Sequence, residues 1–365
     1  MSEYAVIGKP VHKIDGPAKV TGSAKYTFDI ELPNMLYGKI LRSPYPHAKI
    51  LNIDTSRAEK LVGVKKIVTG KDTLGHKTGP WRRFPELCDE EILCREKVRY
   101  IGDPVAAVAA IDENTAEEAL DLIEVEYEPL PAVFDPLEAM KEDAPQIHEG
   151  VERNINITRR IEWGDVSEDF EKCDFIREEQ FYSAPQAHLC METHGAVADF
   201  GYDGKLTVWT STQSNYYIQV LLSDMLGLRE GDIRVIKPPS GGAFGSKFEL
   251  DSAQFCAALL SQKLRQPVKI VLTREEEFTA TKRKTPMYYY VKAGAKKDGT
   301  LLAKEVRVVT EGGAYTAMGA TALYLTGFYS SLPYKWHSYR YDGYRVYTNT
   351  AMASRCEIYF SSLTS

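Results

Sequence analysis

Residues 240–247 read Ser-Gly-Gly-Ala-Phe-Gly-Ser-Lys, a glycine-rich stretch able to offer bare backbone amides to an anion or an oxo group. Two standard versions of such a loop are excluded by spacing. A P-loop needs its lysine directly after the last glycine, whereas here Ser246 separates Gly245 from Lys247. The dinucleotide fingerprint needs G-x-G-x-x-G, which Gly241-Gly242-Ala243-Phe244-Gly245 does not supply. The plain structural reading is a tight turn that lets a helix pack close to a sheet. Two features count against it. Phe244 is a large aromatic set between glycines, and Gln213, in Trp209-Thr-Ser-Thr-Gln213, follows a strand expected to end at the same sheet edge. One side-chain amide beside several backbone N–H groups suits a neutral or weakly anionic oxo ligand.

The metal-ligating residue types lack ligand spacing. Cys88, Cys94, Cys173, Cys190, Cys256 and Cys356 are scattered, with no C-x-x-C pair. The histidines include no H-E-x-x-H or H-x-H, and His188 and His194 stand six apart, matching neither a helical nor a strand face. The cysteines read as reduced thiols, and direct metal coordination by the protein is not expected.

The elements that must position the loop are legible around it. Residues 232–238 read as a strand, 249–265 as a helix carrying Phe255, Leu259 and Leu260, and 268–273 as another strand. Together they form a parallel crossover unit. Residues 288–309 read as a hairpin turning at Lys297-Asp298-Gly299. Nearer the N-terminus, 34–43 and 64–69 read as strands, and 105–111, Val-Ala-Ala-Val-Ala-Ala-Ile, as a strand buried on both faces. Thr115-Ala-Glu-Glu118 reads as the capping box of the next helix, with a short strand at 125–127 after it. Proline and acidic residues at 129–150 suggest a linker.

At 365 residues, with 44% hydrophobic and 26% charged residues, the chain has a globular composition and length for two or three domains. A net charge of −6 leaves no footprint for nucleic acid. No apolar run nears the ~20 residues of a membrane span, and the first residues contain no signal-like apolar core, so the expected location is the cytoplasm.

These landmarks together resemble the molybdenum-cofactor (large, or alpha) subunit of the xanthine dehydrogenase and aldehyde oxidase family. Gly241 to Lys247 is similar to that family's G-G-x-F-G-x-K loop, Trp209 to Gln213 to its S-T-Q segment, and Met191-Glu192-Thr193-His194 to its M-E-x-H segment. Asp298-Gly299, Glu311-Gly-Gly-Ala-Tyr315 and Tyr347-Thr-Asn-Thr350 match later landmarks. Asp15-Gly16, Lys19 to Gly22 and Val98 to Pro104 resemble the family's α/β hammerhead domain. The resemblance implies an α+β or α/β chain: a hammerhead domain over 1–140, a linker at 141–153, and a first molybdopterin-binding domain over 154–365, incomplete at its C-terminal end. Arg42-Ser-Pro44, residues 53–55 and 104–112, Arg234 to Pro238 and Tyr324 to Gly327 look closest to the 4-hydroxybenzoyl-CoA reductase alpha-subunit branch.

Roles follow from the resemblance residue by residue. Gln213 would hydrogen-bond an oxygen of the cofactor, the backbone at Phe244 and Gly245 would contact the apical oxo group, and Gly241 and Gly242 would keep the approach open. The cofactor implied is molybdenum–molybdopterin, the cytosine dinucleotide form included, with the metal held by the pterin dithiolene. Iron–sulfur clusters and FAD are expected on partner subunits, alongside a second molybdopterin-binding polypeptide. Phe248 and Glu192 belong to the expected substrate pocket. Purine-oxidising members carry a glutamate where Phe248 stands, so a purine substrate is disfavoured. For Glu192, a hydrogen bond to a neighbouring loop is the favoured alternative to a place near the cofactor.

After Thr350 the pattern breaks. The family continues with an arginine–glycine motif, whereas this chain reads Ala351-Met-Ala-Ser-Arg355 without the glycine. The expectation is a truncated or split subunit whose catalytic base lies outside the chain, so that no catalytic residue is assigned here and the isolated chain is inactive. A remnant or assembly module that keeps the fold without cofactor is the alternative.

Overall fold

The computed structural model describes residues 4–79 and 84–354. Arg355 and Cys356 therefore lie outside the described residues. The first part of the chain forms α1 (Gly16–Val20), β1 (Leu36–Arg42), β2 (Ala48–Asp54), β3 (Val64–Thr69), β4 (Lys97–Val98), β5 (Pro104–Ala110), α2 (Glu113–Asp121) and β6 (Glu124–Pro129). The remainder forms α3 (Pro136–Ala139), β7 (Ile155–Trp163), α4 (Val166–Glu171), β8 (Phe175–Ser183), β9 (Gly195–Phe200), β10 (Leu206–Thr210), α5 (Asn215–Leu226), β11 (Ile233–Ile236), α6 (Ser252–Leu264) and β12 (Val268–Val271). It ends with α7 (Arg274–Thr279), β13 (Arg283–Lys284), β14 (Met287–Ala295), β15 (Leu301–Gly313), α8 (Gly319–Tyr329), β16 (Ser338–Tyr347) and β17 (Ala353–Ser354).

Seven strands build the central sheet, in the order β11-β10-β9-β12-β1-β5-β3. It draws strands from both ends of the sequence. The seam is the parallel pair β1–β12, in which Leu36 faces Val268 and donates its N–H to Pro267 O at 2.8 Å. One hydrophobic core crosses the seam, with Leu36, Ile40, Ala107 and Ala109 packed together with Phe255, Leu259, Leu260 and Ile270. Helix α6 is buried from Ala253 to Ser261, which its Ala, Cys, Leu and Phe residues suit, and the buried Gln254 spends its amide on Thr210 Oγ1 at 3.0 Å.

Strand β5 is buried at every position. Its alternation explains this: Ala107 and Ala109 meet the main core, while Ala106 and Val108 meet Ala119 and Ile123 of the α2 layer. Helix α2 starts one turn earlier than the Thr115 reading expects. Asp112 is its cap and accepts the Thr115 N–H at 2.7 Å, because a carboxylate at the strand end reaches the first open amides before Thr115 can. Likewise α6 begins at Ser252 behind an Asp251–Gln254 capping box. Glu249 is thereby freed to accept from Met318 N at 3.1 Å and Ser354 Oγ at 2.5 Å.

Strands β11 and β12 flank the glycine loop and run in the same direction. They are separated by β10 and β9, so the crossover spans two intervening strands. A second sheet has the order β7-β16-β15-β14-β8, parallel only at β15–β16. Its β14–β15 hairpin turns at Gly299 (φ +88°), as the Asp-Gly pair predicts.

The Tyr347-Thr-Asn-Thr350 segment fastens the two parts of the chain. Asn349 is buried, accepts Val133 N–H through Oδ1 at 2.9 Å, and donates Nδ2 to Arg99 O at 2.9 Å. Asn349→Ala would orphan both backbone groups. The expected loss is about 1–3 kcal/mol, read as a lower denaturation midpoint with an unchanged slope.

Candidate cofactor-binding site

Parallel pairing of β10 with β11 brings their C-terminal ends to one sheet edge, and the two loops that follow lie side by side. That pairing is why Gln213 and the glycine loop meet. Gly245 donates its N–H to Gln213 Oε1 at 3.0 Å. In return, Lys247 O accepts from Gln213 N at 2.8 Å and from Thr212 Oγ1 at 3.1 Å. Ser211 and Ser240 hydroxyls join the same loops at 2.7 Å.

The loop itself is an open shelf. Phe244 keeps half of its surface exposed and takes a left-handed φ of +51°. Gly242 has φ +111°, a conformation that strains any side chain, and Gly241 lies so close to Glu192 that an added Cβ would sit 2.6 Å from Glu192 Cβ. Among the described residues, the amides of Gly242, Ala243 and Phe244 donate to no protein acceptor. Three successive unspent donors beside a glutamine amide, with no side chain at Gly242, fit an oxygen-rich ligand such as the molybdopterin group. Also among the described residues, no cluster of three His, Cys, Asp or Glu side chains is arranged to hold a metal ion.

Glu192 lies beneath this shelf. It is buried, and Oε2 accepts from Gly241 N at 2.8 Å and from Lys247 Nζ at 3.1 Å. Oε1 accepts from Thr27 N at 3.4 Å. Lys247, fully buried, spends its remaining protons on Glu192 O at 2.9 Å and Ser211 Oγ at 3.4 Å. Both oxygens of Glu192 are thus taken by the loop and by the N-terminal segment. Phe248 is half-buried against Tyr217, with ring centroids 5.6 Å apart, and leaves the immediate loop surface. The structure brings together Gln213, Gly241, Gly242, Phe244, Gly245 and Glu192, whereas Phe248 packs on Tyr217.

Sequence reasoning gave no role to His194, Ser246 or Glu277. His194 is buried, with Nδ1 2.7 Å from Glu277 Oε1 and Nε2 3.2 Å from Ser246 O. Cys190 Sγ lies 3.7 Å from Ser246 Oγ, and burial raises its thiol above the usual range. The one signal for His194 was its place in the Met191-Glu192-Thr193-His194 segment.

The chain matches known sequence families and structures. The molybdopterin cofactor-binding domain matches residues 147–358, and the aldehyde oxidase and xanthine dehydrogenase a/b hammerhead domain matches residues 21–131. The chain belongs to the xanthine dehydrogenase and aldehyde oxidase family. Within it, this chain is a molybdenum-cofactor-binding large subunit. It is 40% identical over 350 residues to a probable xanthine dehydrogenase subunit of Bacillus subtilis, covering 95% of this chain and 46% of that one. It is 36% identical over 356 residues to the nicotinate dehydrogenase large molybdopterin subunit of Eubacterium barkeri, covering 96% of this chain and 81% of that one. The aldehyde oxidoreductase of Desulfovibrio gigas superposes with a TM-score of 0.89 at 30% identity, over 94% of this chain and 39% of that structure. The chain therefore spans about half the length of the Bacillus relative and four-fifths of the Eubacterium one. No helix among the described residues is long and apolar enough to cross a membrane.

Proposed function

We propose that this large subunit holds molybdenum–molybdopterin on the Gly241–Gly245 shelf, within a complex that also contains iron–sulfur and FAD subunits. The oxidoreductase so formed acts on an aromatic, N-heterocyclic or aldehyde substrate. The observation that carries the proposal is the row of amides at Gly242, Ala243 and Phe244 that find no acceptor among the described residues. When bound, the cofactor supplies the two-electron redox chemistry, and the protein supplies orientation and hydrogen bonds. Gln213 fixes the Gly245 amide and thereby the tilt of the shelf. Gly241 leaves room for Glu192 beneath the shelf, and Gly242 supplies the φ of +111° at which the shelf turns. Glu192 and Lys247 hold the loop from below without reaching the ligand.

One feature supports a substrate other than purine: Phe248, next to the loop lysine, has no group to accept or donate a proton. The names of the relatives divide, the Bacillus one being called a probable xanthine dehydrogenase and the Eubacterium one a nicotinate dehydrogenase. A second reading, a 4-hydroxybenzoyl-CoA reductase-like activity, rests on Arg42-Ser-Pro44 and Arg234 to Pro238. Turnover of a panel containing nicotinate, xanthine, benzaldehyde and an aromatic CoA thioester by the native complex separates these readings. Xanthine as the best substrate would overturn the Phe248 argument, and a native complex without molybdenum would favour the non-catalytic remnant.

Gln213→Ala removes one acceptor from the shelf, a change worth ~0.5–1.5 kcal/mol net. The expected result is turnover reduced by up to about tenfold, with molybdenum content close to that of the native complex.

A further inference from the structure

We propose that His194 is a doubly protonated clamp that fixes the C-terminal flank of the glycine loop, making it a positioning residue for the shelf. The geometry carries this. Nδ1 faces the Glu277 carboxylate at 2.7 Å and Nε2 faces the Ser246 carbonyl at 3.2 Å, so both ring nitrogens meet acceptors. A neutral imidazole has one donor and one acceptor and would set a lone pair against one of these oxygens. Only the imidazolium satisfies both. Glu277 also accepts the His194 backbone N–H, so α7, the segment before β9 and the loop are tied at one ring. The clamp acts on the same loop as the Glu192–Lys247 pair, through Ser246 rather than through Gly241 and Lys247. Ser246 in turn closes a turn on Ala243, donating N–H at 2.9 Å and Oγ–H at 2.7 Å to its carbonyl. The position of Ser246 therefore sets that of the Ala243–Gly245 amides.

The charged groups around the ring agree. Burial opposes the imidazolium, but Glu277 at Nδ1 and the nearby Asp251 outweigh it against the opposing charge of Lys247, and the value rises above the ordinary 6.5. For Glu277 burial also opposes the charge, yet the His194 bond and charge outweigh it and hold the carboxyl below its usual 4.5. Glu90 and Lys282 face the ring across an enclosed hollow of ≈ 20 Å³, room for a single water.

A raised histidine value contributes stability that is complete below pH 6.5 and is lost as pH rises through the raised value. A lowered carboxylate value contributes stability that is complete above pH 4.5 and is lost as pH falls through it. The loop is therefore tightest between these limits and loosens on the alkaline side.

Hydrogen exchange of the peptide spanning residues 242–248, corrected for its intrinsic rate, tests the clamp on the chain without cofactor. The expected result is exchange about tenfold faster at pH 9 than at pH 6, with the transition above pH 6.5. In Glu277→Gln the transition should move below pH 6.5. Nitrogen chemical shifts of the His194 ring give a readout that needs no variant: both nitrogens protonated at pH 6.5 support the clamp, and a single neutral tautomer overturns it. A loop whose exchange shows no alkaline step also overturns it. The consequence for cofactor retention rests on the function proposed above and is read separately. If the exchange step is present but molybdenum loss from the loaded complex is the same at pH 6 and 9, the clamp stands and the cofactor reading of the shelf fails.

Discussion

Glu192→Ala is expected to destabilise the chain by about 3–5 kcal/mol, because it leaves the fully buried Lys247 ammonium without its counter-charge. The side chains of Lys247 and Glu192 are 0% and 3% exposed, so water cannot take the place of the missing carboxylate. The same substitution strips the Gly241 amide of its 2.8 Å acceptor and opens space directly beneath the loop. Lys247→Met should cost less than Glu192→Ala. A carboxylate left behind still accepts from Gly241 and Thr27, whereas an ammonium left behind keeps only the Glu192 carbonyl and the Ser211 hydroxyl. In the double variant Glu192→Met with Lys247→Met no buried charge remains, and stability should return part of the way toward the native chain. Chemical denaturation midpoints of the native chain, Glu192→Met, Lys247→Met and the double variant form a complete cycle, with Glu192→Ala measured beside it. A cost below about 1 kcal/mol for Glu192→Ala would place this pair among ordinary surface ion pairs and remove the stated reason for the shape of the loop.

Much of this arrangement is legible in the sequence, and the reasons differ from element to element. Strand β5 reads correctly because an unbroken run of small apolar residues has few alternatives to burial on both faces. The Asp298-Gly299 turn reads correctly because Gly299 supplies the positive φ that the hairpin needs. The start of α2 does not, because Asp112 and Thr115 are both good caps and only the end of β5 decides between them. The shared sheet is the larger gap. Nothing local in Leu36 or Val268 signals that they pair across more than two hundred residues; the register is set by packing on α6. At the site, residue types led to Gln213 and the glycine loop but left His194 without a role. Its partners are a backbone carbonyl and Glu277, a carboxylate 83 positions away.

Several landmarks also prove to be structural. Tyr315 donates to Asp103 at 2.8 Å, and Gly102, at φ +107°, lies where a Cβ would sit 2.8 Å from Thr279 O. Burial lifts Asp103 to about 6, partly offset by bonds from the Arg99 amide and Tyr315. These contacts seat the 98–104 segment against the rest of the chain.

Gly242→Val is expected to remove molybdenum from the native complex more than it removes fold. At φ +111° a valine is strained by about 1–3 kcal/mol, and its Cβ would lie 3.2 Å from the Phe244 ring and 3.4 Å from Cys190 Cβ. A lower melting temperature is therefore expected whatever the loop does. What distinguishes a cradle from a plain turn is whether the added side chain, wedged between the Phe244 ring and Cys190, displaces the free amides of Ala243 and Phe244 that would meet the ligand. The contacts that hold β1, β3 and β5 together do not involve this loop, so their protection from hydrogen exchange should be unchanged. The direct test is molybdenum per folded large subunit in the purified native complex, measured with the melting temperature for the native and Gly242→Val proteins. The account predicts close to one molybdenum per large subunit in the native complex and a roughly tenfold lower content in the variant. Full molybdenum occupancy in a destabilised Gly242→Val complex would contradict it and leave Gly241–Gly245 as a turn.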